Sequence, residues 1–248
     1  MPRRRFFVLR ENIRNGTAEL PPEELHHLRQ VLRLRVGDEV EIFDGHGNGY
    51  SGKIEGGRTK TCIGSLQCLP STLEAPIELV LALALAKASQ FEWILQKATE
   101  LGVWEFRPLL THFCDVRIAE SKLEARLERW QRIVREAAKQ CGRFAVPGVC
   151  RPQRFVDFLP AADCSSEARF IFYEKAAQVW KAEPSRSRRL LLCVGPEGGW
   201  DREEIDAAAR AQFRAFSLGP RILRAETAAL AALTIVQFCH GNLGRIDD

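Results

Sequence analysis

At 248 residues, 46% hydrophobic and 27% charged, the chain has the composition of a folded globular protein, with room for one large domain or for one small and one medium. Its longest apolar run, Leu79 to Ala86, falls far short of the roughly 20 residues that span a bilayer. Met1 to Phe7 lacks the long apolar stretch of a signal peptide, so no membrane partner and a cytoplasmic address are expected.

The first part of the chain reads as a small β-rich unit. Phe6 to Leu9 is a strand candidate and Pro22 to Leu34 a short helix. Glu39 to Phe43 alternates apolar and polar residues, as a half-buried strand does. Asp44-Gly45-His46-Gly47-Asn48-Gly49 is a hairpin signal, leading to strands at Tyr50–Glu55 and Thr61–Leu66. Short strands joined by glycine turns in so small a piece favour a compact barrel. Leu69 to Pro76 reads as a linker, which gives domains at 1–70 and 74–248.

From Ile77 the pattern changes. Leu79 to Ala86 is continuously apolar, as in a strand buried on both faces of a parallel sheet. Ser89-Gln90-Phe91-Glu92 reads as a capping box opening a helix that stops near Gly102. Val103–Leu110 is a strand and Ser121–Cys141 a long amphipathic helix. Gly148–Cys150, Arg169–Tyr173 and Leu190–Val194 are further strands. A second capping box, Asp201-Arg202-Glu203-Glu204, opens a helix reaching about Phe213, and Phe216–Leu218 is the last strand. Alternating β and α in this order predicts a mostly parallel, open sheet with helices on both faces. The closing helix, Glu226 to about His240, has almost no polar face. Such a helix is buried on all sides, here against a second subunit or wholly within the chain's own core.

Two loops carry the functional signal. Gly195-Pro196-Glu197-Gly198-Gly199 follows the apolar run Leu190–Val194, and Leu218-Gly219-Pro220-Arg221-Ile222-Leu223-Arg224 lies shortly after it. Glycine lets backbone amides approach a ligand that a Cβ would block. Two such loops close in sequence predict one small-molecule pocket at the strand ends of an α/β sheet, although one alone is as readily just a turn. Neither is a phosphate cradle, since no G-x-G-x-x-G or G-x-x-x-x-G-K-[ST] occurs and Pro196 removes an amide. The eight cysteines include no C-x-x-C pair, and adjacent His26 and His27 cannot chelate together, so no metal is expected. The formal charge of +4 concentrates at the front. There Arg3, Arg4, Arg5, Arg10, Arg14, Arg29, Arg33 and Arg35 outnumber Glu11, Glu19, Glu23 and Glu24, which suggests a nucleic-acid partner.

These residues resemble the RsmE family of 16S ribosomal RNA uracil-N3 methyltransferases, in the SPOUT class of knotted methyltransferases. The resemblance rests on His27 to Arg33, Phe43-Asp44-Gly45, Gln96 to Val103, Glu136 to Arg143, the Gly195 loop and the run Leu218 to Ala228. It implies an α/β fold class, with a PUA-like β-barrel over 1–70 for RNA and a SPOUT trefoil-knot methyltransferase domain over 74–248. A knot breaks the usual rule that chains do not thread loops, and patterning does not show it. The resemblance further implies S-adenosylmethionine (SAM), a homodimer, and 16S rRNA within the small ribosomal subunit as partner. The cofactor contacts it implies are Tyr173, Gly195, Pro196, Glu197, Gly198, Gly199, Leu218, Gly219, Leu223, Arg224 and Thr227. Arg3, Arg4, Arg5, Arg29 and Arg33 are the candidate RNA contacts. One departure is visible after Pro108-Leu109-Leu110. Family members usually carry an acidic residue and an arginine where this chain has His112 and Phe113.

The implied chemistry sets demands. N3 of uracil carries a proton and is a poor nucleophile until that proton leaves, so a general base or a stabiliser of the uracil anion is needed. Arg221 and Arg224 could stabilise the anion or hold phosphate. Glu197 or Glu226 could accept the proton or orient another group. Arg224 and Glu226 could equally pin the loop, with Glu226 as a favourable first-turn carboxylate. N3 lies on the pairing edge, so the target must be unpaired or extruded. Two other readings stay open. One is a knotted ribose 2'-O-methyltransferase acting on tRNA or rRNA, and the other is a non-catalytic RNA-binding ribosome assembly factor.

Overall fold

A computed structural model describes residues 4–56, 61–70, 74–161, 167–180 and 187–244, so Arg3 and positions 71–73 of the expected linker lie outside the described residues. The chain forms two units. Met1–Glu74 cluster with Arg135–Val146, and Ala75–Val134 with Pro147–Asp248.

The first unit is built on a curled six-stranded sheet. Its strands are β1 (Arg5–Phe7), β2 (Ile13–Arg14), β3 (Thr17–Glu19), β4 (Glu39–Phe43), β5 (Gly49–Gly56) and β6 (Thr61–Leu69), in the order β1-β4-β5-β6-β3-β2. Only β1 and β4 pair parallel. The Asp44–Gly49 hairpin forms as expected. The Asp44 carboxylate accepts from the backbone N–H of His46 at 2.8 Å and of Asn48 at 3.1 Å, and so fixes the turn. Phe6, Leu28, Ile42 and Ile63 fill the core inside the curl. The expected helix from Pro22 is only partly regular. An α-helical turn, α1 (Pro22–His26), widens into a π-helical segment at His27–Val31. A buried ion pair holds this region, since Lys139 Nζ donates to both oxygens of Glu24, at 2.6 and 2.9 Å.

The second unit holds a parallel sheet. In chain order its elements are β7 (Glu78–Ala84), α2 (Ala88–Glu100), β8 (Val103–Leu110), α3 (Glu120–Cys141, of which the part to Val134 belongs here), β9 (Gly148–Val149), β10 (Gln153–Arg154), α4 (Phe155–Ala161), β11 (Glu167–Phe172), β12 (Arg189–Val194), α5 (Arg202–Arg210), β13 (Arg214–Phe216) and α6 (Ala225–His240). The strand order is β10-β8-β7-β12-β11-β13, with β9 also on β8, and every pair is parallel. Leu79 to Ala84 are all buried, which their continuous apolarity required.

Three expectations need correction. The capping box at Ser89 does not form. Lys87 precedes the first turn of α2 without any side-chain cap, and Glu92 instead accepts from Arg129 at 2.6 and 2.7 Å. That guanidinium holds the Glu92 carboxyl below the usual carboxylate range. The box at Asp201 does form. Asp201 accepts from Glu203 N at 2.9 Å, and Glu204 accepts from Asp201 N at 3.0 Å. The last strand ends at Phe216 rather than Leu218, because Ser217 leaves the sheet to pair with Gln178 and Trp180. Finally, of the two arrangements expected for α6, burial wholly within the chain's own core does not hold, since one face only is buried. Ala229, Ala232, Leu233 and Val236 pack inward, whereas Phe238 is 68% exposed.

Candidate active site

β12, β11 and β13 run parallel, so their carboxyl ends meet on one edge, where ligands of open α/β sheets bind. A cleft opens there, and both glycine-bearing loops contribute to its walls. The strand ends supply Phe172, Tyr173, Glu174, Val194 and Gly195. The turn after β12 supplies Pro196, Gly199 and Trp200. The segment after β13 supplies Ser217, Leu218, Gly219, Arg221 and Leu223, and α6 adds Ala225 and Ala228.

The local geometry explains the glycines. Trp200 Nε1 donates to the Phe172 carbonyl at 2.9 Å, and its ring lies 4.7 Å from that of Phe155. A Cβ on Gly195 would stand 2.9 Å from that indole nitrogen, so only glycine lets the turn close over the tryptophan. Gly199 adopts φ +76°, the left-handed region, and its N–H closes the turn onto the Pro196 carbonyl at 2.9 Å. The far wall is fixed by backbone pairing. Ser217 N donates to Gln178 O at 2.8 Å and Trp180 N donates to Ser217 O at 3.0 Å. Beneath the cleft, burial pushes the Cys193 thiol well above its ordinary range, so it is an inert core group.

A second cleft lies across the Pro196–Gly198 turn, beyond the ends of β7 and β8. Leu85, Lys87, Gln90, His112, Phe113 and Asp115 are among its walls. Gln90 Nε2 donates to Glu197 at 3.0 Å and also to Glu226. One amide therefore ties the first glycine turn to the first turn of α6. The backbone N–H of His112 donates to Glu204 at 2.9 Å.

The expected site residues divide between these places. Tyr173, Gly195, Pro196, Gly199, Leu218, Gly219 and Leu223 line the first cleft, together with Arg221. Glu197 and Gly198 line the second. Arg224 and Thr227 are exposed and are not among the lining residues of either, and Glu226 is half-buried under Gln90. Glu174, Trp200 and Gln90 were missed. Trp200 had a signal, a large aromatic directly behind the glycine turn; Gln90 had none, because its partners lie far along the chain. Among the RNA candidates, Arg4, Arg29 and Arg33 are exposed. Arg29 donates to Thr61, and Arg33 takes a left-handed φ of +53°. Arg5 is different. It is 2% exposed, donates to Glu41 at 3.0 Å, and lies 5.1 Å from the Phe144 ring centre, so it braces the unit.

Two family models match the chain, an RNA methyltransferase domain over 73–237 and an RNA methyltransferase PUA domain over 20–67. Ribosomal RNA small subunit methyltransferase E of Synechocystis is 35% identical, with 92% of this chain and 75% of that protein covered. The protein of that name from Bacillus subtilis is 30% identical, covering 90% of each. The crystal structure of a ribosomal RNA small subunit methyltransferase E from Neisseria gonorrhoeae bound to SAM superposes with a TM-score of 0.88. It is 30% identical, covering 97% of this chain and 99% of that one. A methyltransferase of Legionella pneumophila in complex with SAM gives a TM-score of 0.87 at 31% identity, with 97% and 99% covered.

Proposed function

The chain belongs to the ribosomal RNA small subunit methyltransferase E family, and from that premise we propose that it methylates N3 of a uridine in 16S rRNA using SAM. The observation that carries the reading is the first cleft, at the carboxyl ends of β11, β12 and β13, where both glycine-bearing loops converge.

The cleft suits SAM chemically. Phe172, Val194, Leu218 and Leu223 offer apolar walls for an adenine ring, and the close-approaching backbone at Gly195, Gly199 and Gly219 offers polar groups to its edge. Glu174 places a carboxylate beside it, fit for ribose hydroxyls or for a cation. Bound there, SAM supplies an electrophilic methyl group on a sulfonium. The chain's own task is to align the acceptor and manage its proton. Arg221, in the cleft wall, is placed to hold substrate phosphate or developing charge. Glu197 and Glu226, joined by Gln90, hold the turn after β12 against the first turn of α6. Arg224 and Thr227 complete the proposed set from the start of α6.

The first unit, the proposed RNA-binding module, presents Arg4, Arg29 and Arg33. π-helical segments concentrate at functional sites, and the one at His27–Val31 lies between α1 and Arg33 and carries Arg29. Phe238, 68% exposed on a helix with few polar residues, supports a homodimer. The knotted path belongs to the same reading and rests on the resemblance. The proposed setting is the cytoplasmic small ribosomal subunit.

Calorimetric titration with SAM tests the cleft. Wild-type protein should bind. Gly195→Val, which drives a branched side chain against Trp200, should lose binding while keeping its fold by circular dichroism. Undiminished affinity in the folded variant would place the cofactor elsewhere.

A further inference from the structure

We propose that the second cleft receives the acceptor uracil and that Lys87 is the cation that stabilises its anion there; this rests on the uracil-N3 reading above. The placement comes from the sheet. β7 and β12 are adjacent and parallel, so the chain leaving β7 and the turn leaving β12 emerge side by side. The turn Pro196–Gly198 is a wall of the second cleft, and its Pro196 also lines the first. The two clefts thus share a wall at Pro196, and in-line transfer requires the methyl carbon and N3 to meet past the edge of that wall at about 3–3.5 Å.

The walls match a pyrimidine. Phe113 is 45% exposed and offers an aromatic face to a flat base. Its segment is anchored on both sides, by His112 N to Glu204 at 2.9 Å and by Cys114 Sγ to the Leu85 carbonyl at 3.2 Å. A Cβ on Gly198 would stand 2.8 Å from Phe113 Cβ, so the turn approaches the ring closely only because that position is glycine.

The charge pattern matches uracil chemistry. Of the residues lining this cleft, Lys87 alone carries a permanent positive charge. It is exposed, at the mouth of α2, and makes no ion pair with any described residue. The other ionisable groups facing the cleft are His112, Asp115 and Glu197. His112 packs edge-on against Phe113 at 4.7 Å, and Glu197 is held by Gln90. The N3 proton leaves to water, and the ring keeps the electron pair as an anion spread over O2, N3 and O4. N3 then bonds the methyl carbon as the carbon–sulfur bond breaks, its pair remaining on sulfur. An ammonium beside O2 or O4 lowers the cost of the anion.

The test is single-turnover methylation of small-subunit RNA at saturating RNA and SAM, across neutral to mildly alkaline pH. Lys87→Ala should slow transfer by about a hundredfold, the scale on which loss of one anion stabiliser acts. Its SAM affinity should be unchanged, and Lys87→Arg should restore most of the rate. Without SAM, fluorine NMR of the same RNA carrying 5-fluorouridine at the target should show the ring ionising at lower pH on wild-type protein than on Lys87→Ala. An unchanged rate in Lys87→Ala, a loss not rescued by arginine, or a loss confined to RNA or SAM affinity would each overturn the role of Lys87. If wild-type protein itself yields no N3-methylated uridine, the functional reading fails instead.

Discussion

Glu197 and Glu226 share one donor, the side-chain amide of Gln90, which reaches Glu197 at 3.0 Å. Glu197 sits in the turn after β12 and Glu226 in the first turn of α6, so this amide ties together two segments that flank the proposed cofactor cleft. Gln90→Met keeps the side chain's length and removes the tie. We expect SAM affinity to fall by roughly fivefold, in line with about 1 kcal/mol for a hydrogen bond of this kind. Calorimetry that finds equal affinity would make the contact incidental.

The exposed arginines of the first unit bear on RNA. Phosphate contacts position a nucleic acid and release counterions, so each lost contact flattens the salt dependence of binding. Replacing Arg4, Arg29 and Arg33 together with alanine should weaken binding to small-subunit RNA and reduce the slope of affinity against salt. SAM affinity should stay as it was. Arg5→Ala should act through stability instead, because Arg5 is buried against Glu41 and Phe144. An unaltered salt slope in the triple variant would move the RNA face elsewhere.

The open face of α6 bears on assembly. Phe238 is 68% exposed on a helix with few polar residues. Light scattering at micromolar concentration should give a dimer mass, and Phe238→Arg should shift it toward monomer. A monomeric wild type that binds SAM would refute the dimer.

His240, at the end of α6, links stability to pH. Burial holds its pKa below the ordinary 6.5. The unfolded chain therefore binds the proton more readily between the lowered value and 6.5, so stability should fall as pH drops through that window. Urea midpoints measured down from neutral pH should show this decline, and His240→Gln should flatten it. Equal slopes in both proteins would assign the decline to other groups.

Much of the fold was legible because the responsible signals are local. The continuous apolarity of Leu79–Ala84 announced a strand between two neighbours, and Asp44-Gly45-His46-Gly47-Asn48 announced its hairpin. Other features depend on partners distant in sequence. Ser89 and Glu92 have the right spacing for a cap, yet α2 opens at Ala88 and Glu92 belongs to Arg129. Lys139 and Arg143, both in a stretch that carried the resemblance, anchor Glu24 and Glu74 in the first unit. No periodicity separates the π-helical segment at His27–Val31 from an ordinary helix. The site shows the same division. Its glycines announced themselves through what they permit, whereas Gln90, Glu174 and Lys87 gain meaning only where the sheet brings strand ends together.

The most direct measurement is the identity of the methylated nucleoside. Small-subunit RNA lacking the modification would be incubated with the protein and SAM, digested, and analysed by mass spectrometry against standards. The expected product is 3-methyluridine, formed with wild-type protein and absent with Gly195→Val. A ribose-methylated nucleoside, or no methylated product from any small-subunit substrate, would contradict it.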